Sequence, residues 1–138
     1  MYYLKTEQSF DSAHFLHGYH GKCANIHGHR WKIVATIKNE KLLDDPQNKS
    51  MIIDFGDLKA DLKVITDSFD HALIIEDGSL SKRLYQALID ENFKIINLPF
   101  RPTAENLAKY IYDRLAKKYN VDYIEVYETP NNCASYRG

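Results

Sequence analysis

Between His14 and His29 the chain carries five of its six histidines and one of its two cysteines. Glycines at positions 18, 21 and 28 interrupt any continuous helix or strand there. A stretch so rich in imidazole and so poor in core-forming side chains reads as a loop, and its composition suggests a metal site. The flanks must then supply the scaffold. Tyr2 to Ala13 is rich in aromatic and β-branched residues, with Leu4, Phe10 and His14 on one parity, and reads as a strand. His29 to Lys38 reads as a second strand, with Trp31, Ile33, Ala35 and Ile37 on one face and Lys32, Thr36 and Lys38 on the other. His27 and His29 continue the apolar parity, so both imidazoles face the buried side if that segment is extended. Consecutive strands of this kind pair most simply antiparallel, which brings His14 beside His29.

The rest of the chain alternates between helical and extended patterns. Asn39 to Lys49 is a polar loop. Asp54 is placed to cap a helix with Leu58, Leu62 and Ile65 at helical spacing, ending near Phe69. Leu80, Leu84 and Leu88 mark a second helix, and Lys94 to Leu98 a short strand before Pro99. Thr103 caps a third helix with the stripe Leu107, Ile111 and Leu115, ending at Asn120. Val121 to Glu128 is the last strand, and Pro130 to Gly138 reads as an irregular tail. The order β-β-α-α-β-α-β predicts an α+β domain, with helices on one face of a largely antiparallel sheet.

At 138 residues, the expectation is a single domain over 1–138. No apolar run approaches the ~20 residues of a membrane span. The N-terminal residues lack the basic and then apolar pattern of a signal peptide. A cytoplasmic location is therefore expected, and two cysteines are too few for a disulfide framework. A net charge of −1 argues against a nucleic-acid or anionic-membrane surface.

His27-Gly28-His29 puts two imidazoles at i and i+2, pointing the same way in an extended segment, with no side chain between them to crowd an ion. A third imidazole from the neighbouring strand leaves the fourth position open, which is the catalytic rather than the structural arrangement of zinc. His14 is the first choice for that third ligand; residue types alone leave His17 and His20 open. Cys23 suits a fourth ligand, a general base or nucleophile, or a small buried residue. In Asp70-His71 the carboxylate can orient the ring and raise its basicity, although a histidine is also favourable at an exposed helix C-terminus. Glu128 continues the parity of Ile124 and Val126; it either snorkels at an edge or accepts two hydrogen bonds from a guanidine-like ring edge, as in a pterin or guanine. Glu105 is favoured early in its helix by the macrodipole alone.

Together, Phe10-Asp-Ser-Ala-His14, Cys23-Ala-Asn-Ile-His27-Gly-His29, Met51-Ile-Ile-Asp54-Phe-Gly-Asp-Leu-Lys59, Asp70-His71, Pro102-Thr-Ala-Glu105-Asn106 and Glu128-Thr129 resemble the 6-pyruvoyltetrahydropterin synthase and 6-carboxytetrahydropterin synthase family. The pieces follow the family order and cover nearly the whole chain. The short Cys23 to His27 spacing and the ending Cys133-Ala-Ser-Tyr-Arg137-Gly138 are similar to the bacterial carboxy branch. Asp70-His71-Ala-Leu-Ile-Ile departs from many relatives, which have an Asn soon after the Leu.

The resemblance implies a tunnelling fold whose sheets join into an oligomeric barrel, typically a homohexamer, with active sites between subunits. It implies Zn2+ held by His14, His27 and His29, with Cys23 as catalytic base and Asp70 and His71 as a second proton-transfer unit. Glu128 would anchor the pterin and join the relay. The implied substrate is 7,8-dihydroneopterin triphosphate, and the implied products are 6-carboxy-5,6,7,8-tetrahydropterin, acetaldehyde and triphosphate, on the route to queuosine. The alternatives are the pyruvoyl synthase activity, without carbon–carbon cleavage, and a non-catalytic zinc or pterin-binding module. Lys22, His17, His20 and Arg137 are unranked for the triphosphate.

Overall fold

Strand alternation over the second extended segment organises the molecule. In the computed structural model, which describes residues 1–138, β1 (Tyr2–His14) and β2 (His27–Asn39) pair antiparallel from Tyr2↔Asn39 to His14↔His27. On β2 the predicted apolar face is buried: Trp31, Ile33 and Ala35 are fully inaccessible and Ile37 nearly so. Phe10 of β1 stacks on Trp31 and on Phe69, which ties the sheet to the helix ending there.

That helix, α1 (Phe55–Phe69), starts where expected. The Asp54 side chain accepts from the Gly56 N–H at 2.6 Å, satisfying one of the first turn's unpaired donors. Two further strands lie between it and the next long helix. β3 (Ala72–Glu76) and β4 (Ile95–Leu98) are joined by α2 (Lys82–Asp90), which is capped by Ser81 and buries none of its residues. α3 (Ala104–Leu115) is capped by Thr103, and its stripe Leu107, Ala108, Ile111 and Leu115 is buried. β5 (Val121–Thr129) and β6 (Asn132–Tyr136) complete a six-stranded sheet of order β4-β3-β1-β2-β5-β6. The stripes of α1 and α3 meet the inner faces of β1, β2 and β5 in one apolar cluster, so the α+β class holds.

The architecture departs from the sequence reading in three places. β3 was not expected: Ala72-Leu-Ile-Ile-Glu76 is a short apolar run without alternation, the pattern of a strand covered on both faces and flanked by parallel partners. It pairs parallel with both β1 and β4, so the sheet is mixed rather than largely antiparallel. The stretch read as an irregular tail holds β6, an edge strand paired antiparallel with β5; edge strands need no buried face and so carry no apolar alternation. Finally, β2 begins at His27, so His14 stands opposite His27 in the register and His29 opposite Ser12. All the other expected elements are present, with α3 ending at Leu115 rather than at Asn120.

Leu62 is fully buried between α1 and the sheet. Leu62→Ala should lower unfolding stability by roughly 2–5 kcal/mol through lost transfer energy and an unfilled cavity. Urea denaturation followed by circular dichroism measures this.

Candidate active site

The pairing of β1 with β2 brings three imidazoles together at one end of the sheet. Ring centroids lie 4.6 Å apart for His14 and His27, 5.2 Å for His14 and His29, and 4.9 Å for His27 and His29. Trp31 meets His14 and His29 edge-on, at 4.9 and 5.3 Å, and restricts both rings. His14 Nδ1 is 2.8 Å from the Pro102 carbonyl oxygen, and His27 Nδ1 is 2.7 Å from that of Asn25. A carbonyl only accepts, so each Nδ1 carries the proton and each Nε2 is left with a free lone pair. The Nε2 atoms of His14, His27 and His29 are all buried and have no hydrogen-bond partner. Burial lowers the pKa of His14 and of His29, which favours the neutral, ligating form of both.

Glu128 reaches the same point from the end of β5, where Ile124 and Val126 point into the core on the same parity. Its Oε1 is 2.8 Å from His29 Nε2 and 3.7 Å from His14 Nε2. One donor atom from each of His14, His27, His29 and Glu128 lies within 4.8 Å of all the others. Buried imidazole nitrogens without partners call for a bound cation, and this nitrogen-rich donor set suits zinc. The sequence-predicted trio is thus brought together. His17 and His20 are exposed in the connecting loop.

Cys23 sits in a 3-10 turn (Lys22–Ala24) and is half-buried. The turn is held by the Leu16 N–H, which donates to the Cys23 carbonyl at 2.8 Å, and earlier in the same loop Arg101 Nη2 donates to the His17 carbonyl at 2.6 Å. Cys23 lines a cavity of about 440 Å³ together with Lys22, His27, His29, Glu128 and Asn132.

Asp70 and His71 form a separate unit on the other side of β1. His71 Nδ1 is 2.8 Å from Asp70 Oδ2. His71 adopts a left-handed backbone (φ 53°), a strained conformation, and both it and Asp70 are tied to Asp11. The His71 N–H donates to the Asp11 carbonyl at 2.7 Å, and the Asp11 N–H donates to Asp70 Oδ1 at 2.9 Å. That Asp11 N–H and then His71 hold the Asp70 carboxyl below the usual carboxylate range. His71 lines a different cavity, of about 660 Å³, bordered by Ser12, Leu88 and Phe93. His29 borders both cavities, whereas Cys23 lines only the first and His71 only the second.

Arg137 is engaged elsewhere. It pairs at 2.9 Å with the buried Asp122 at the opposite end of β5 from Glu128, alongside Lys38. Of the four residues considered for a triphosphate, only Lys22 borders the Cys23 cavity. The sequence reading missed the carbonyls of Asn25 and Pro102 and both backbone groups of Asp11. Main-chain acceptors carry no residue signature, although Asp11 lies inside the Phe10 to His14 motif.

The family model described as 6-pyruvoyl tetrahydropterin synthase matches residues 3–138. The chain is 38% identical over 141 residues to a 6-carboxy-5,6,7,8-tetrahydropterin synthase of Haemophilus influenzae, covering 99% of both chains. It is 32% identical over 130 residues to one of Aquifex aeolicus, covering 84% of this chain and 76% of that one. Among solved structures, an uncharacterized protein from Wolinella succinogenes superposes with a TM-score of 0.83 at 19% identity, covering 99% of this chain and 98% of that one. The 6-pyruvoyl tetrahydropterin synthase of Caenorhabditis elegans gives 0.70 at 24% identity, covering 99% and 95%. At these identities the structural likeness is one of fold.

The Asp70 carboxylate contributes stability above the ordinary carboxyl pKa of about 3.9 and loses it as pH falls through its depressed folded value. Asp70→Asn should therefore be less stable than the parent at neutral pH, with the gap closing under acid. Urea midpoints across a pH series test this; a gap independent of pH contradicts it.

Proposed function

The chain belongs to the 6-pyruvoyl tetrahydropterin synthase family, and from that premise we propose that it is a zinc-dependent 6-carboxy-5,6,7,8-tetrahydropterin synthase. It converts 7,8-dihydroneopterin triphosphate to 6-carboxy-5,6,7,8-tetrahydropterin, acetaldehyde and triphosphate, in the biosynthesis of queuosine. The observation that carries the reading is the trio of buried, unpartnered Nε2 atoms next to Cys23 and Glu128. The full-length likeness to carboxy synthases favours this branch over the pyruvoyl one.

His14, His27 and His29 hold the ion through Nε2. When bound, it supplies a Lewis acid with an open position, which acidifies the protons of the substrate's hydroxylated side chain. Cys23 removes a proton from that side chain, and Asp70 with His71 moves protons on its other side. Asp70 orients the His71 ring through Nδ1, leaving Nε2 to face the substrate. Glu128 accepts hydrogen bonds from the guanidine-like edge of the pterin and belongs to the same relay. Because Cys23 and His71 line different cavities of one chain, the working site joins two copies in a homohexamer. The outer strands β4 and β6 leave free backbone edges through which sheets can join. No helix is long and apolar enough to cross a membrane.

Incubating the zinc-loaded protein with 7,8-dihydroneopterin triphosphate should release acetaldehyde. Its absence, with triphosphate still eliminated, would mark the pyruvoyl activity instead. Cys23→Ala should cut turnover by roughly 10²–10⁴-fold, the usual contribution of a general base, with zinc content unchanged. Unchanged turnover would favour a binding module. His27→Ala should lose zinc, as read by metal analysis of the purified protein.

A further inference from the structure

Glu128 has an unusual set of neighbours for a carboxylate. It lies beside His29 and His14 and forms no salt bridge with any lysine or arginine. Its Oε1 is 2.8 Å from His29 Nε2 and 3.7 Å from His14 Nε2, and one donor atom from each of these side chains and His27 lies within 4.8 Å of all the others. A carboxylate converging with three imidazole nitrogens on one point is the arrangement of four ligands of one ion. Donors sharing a tetrahedral zinc at bond lengths of about 2.0–2.2 Å stand roughly 3.4 Å apart. The distances of 2.8 and 3.7 Å from Glu128 Oε1 to the two imidazole nitrogens fall either side of that separation. The side chain also has room to leave: it is 28% exposed and lines both the cavity holding Cys23 and a neighbouring one of about 410 Å³ bordered by Arg30, Lys32 and Tyr127.

We propose that in the ligand-free protein Glu128 is the fourth ligand of the ion held by His14, His27 and His29, and that it is the ligand that leaves when a pterin binds. The second half rests on the functional reading above; the first does not. The exchange swaps one oxygen donor for another, a substrate hydroxyl for the carboxylate. The carboxylate departs with its charge, and no proton or electron has to move. The site is then closed with four protein ligands at rest, which keeps water from the reactive position. A freed Glu128 becomes available to the N–H edge of the pterin, so the groups that open the metal site and anchor the ring are one and the same.

The test uses the full-length protein loaded with zinc or cobalt(II). Without pterin, Glu128→Gln should weaken zinc binding by at least about tenfold in competition with a chromophoric chelator, and should alter the cobalt d–d spectrum. Glu128→Asp, which keeps the charge but withdraws it by one methylene, should fall between. Wild-type affinity and spectrum in Glu128→Gln would overturn the ligation. Adding 7,8-dihydroneopterin to the wild-type cobalt protein should shift the bands while keeping four-coordinate intensity. A drop to five-coordinate intensity, or an unchanged spectrum when pterin fluorescence reports binding, would overturn the exchange. Failure of the pterin to bind would overturn the functional reading and the exchange with it, while the ligation stands or falls on the first two measurements.

Discussion

The register of β1 on β2 is the constraint on which the site depends. Side chains alternate along a strand, so a slip of one residue turns every side chain to the opposite face. With His14 opposite His27 and Phe10 opposite Trp31, the apolar face of both strands enters the core, and the same parity delivers three imidazoles to one point. Core and site are not independent here. The burial of Trp31, Ile33 and Ile37 that stabilises the pairing also fixes where His27 and His29 point.

That arrangement carries a local cost. Three buried Nε2 atoms have no partner, and a buried polar group left unpaired costs roughly 1–3 kcal/mol. Burial also disfavours the imidazolium form of His14 and His29. Burial thus keeps His14 and His29 neutral, the unpartnered lone pairs are available to a cation, and the Pro102 and Asn25 carbonyls fix which nitrogen of His14 and His27 is free. A surface histidine cluster would have neither property, because water would satisfy each nitrogen and proton uptake would compete with the ion.

The sequence made legible those features that rest on periodicity or on side-chain chemistry. Parity along β1 and β2 located the imidazoles, and Asp54 and Thr103 gave the starts of α1 and α3 because a capping side chain has a recognisable chemistry. β3 escaped because a five-residue apolar strand flanked by parallel partners shows neither period. β6 escaped because an exposed edge has no apolar face to reveal. The grip of Asp11 on Asp70 and His71 escaped because it is made by main-chain groups, and it depends on the β1–β3 pairing that was not foreseen.

Strand order also explains why the Asp70–His71 pair lies apart from Glu128. Asp70 and His71 stand at the start of β3, whereas Glu128 stands near the end of β5. Between β3 and β5 lie β1 and β2, so the two units are three strand spacings apart, roughly 14 Å at about 4.8 Å each. Proton transfer requires a donor within hydrogen-bond reach of the reacting group. Side-chain motion cannot close such a gap, because Asp70 is pinned to the backbone of Asp11 and His71 is pinned to Asp70. If both units serve one reaction, the second has to come from another copy. The rigidity that holds Asp70 and His71 in place would then make assembly a condition of the reaction proposed above.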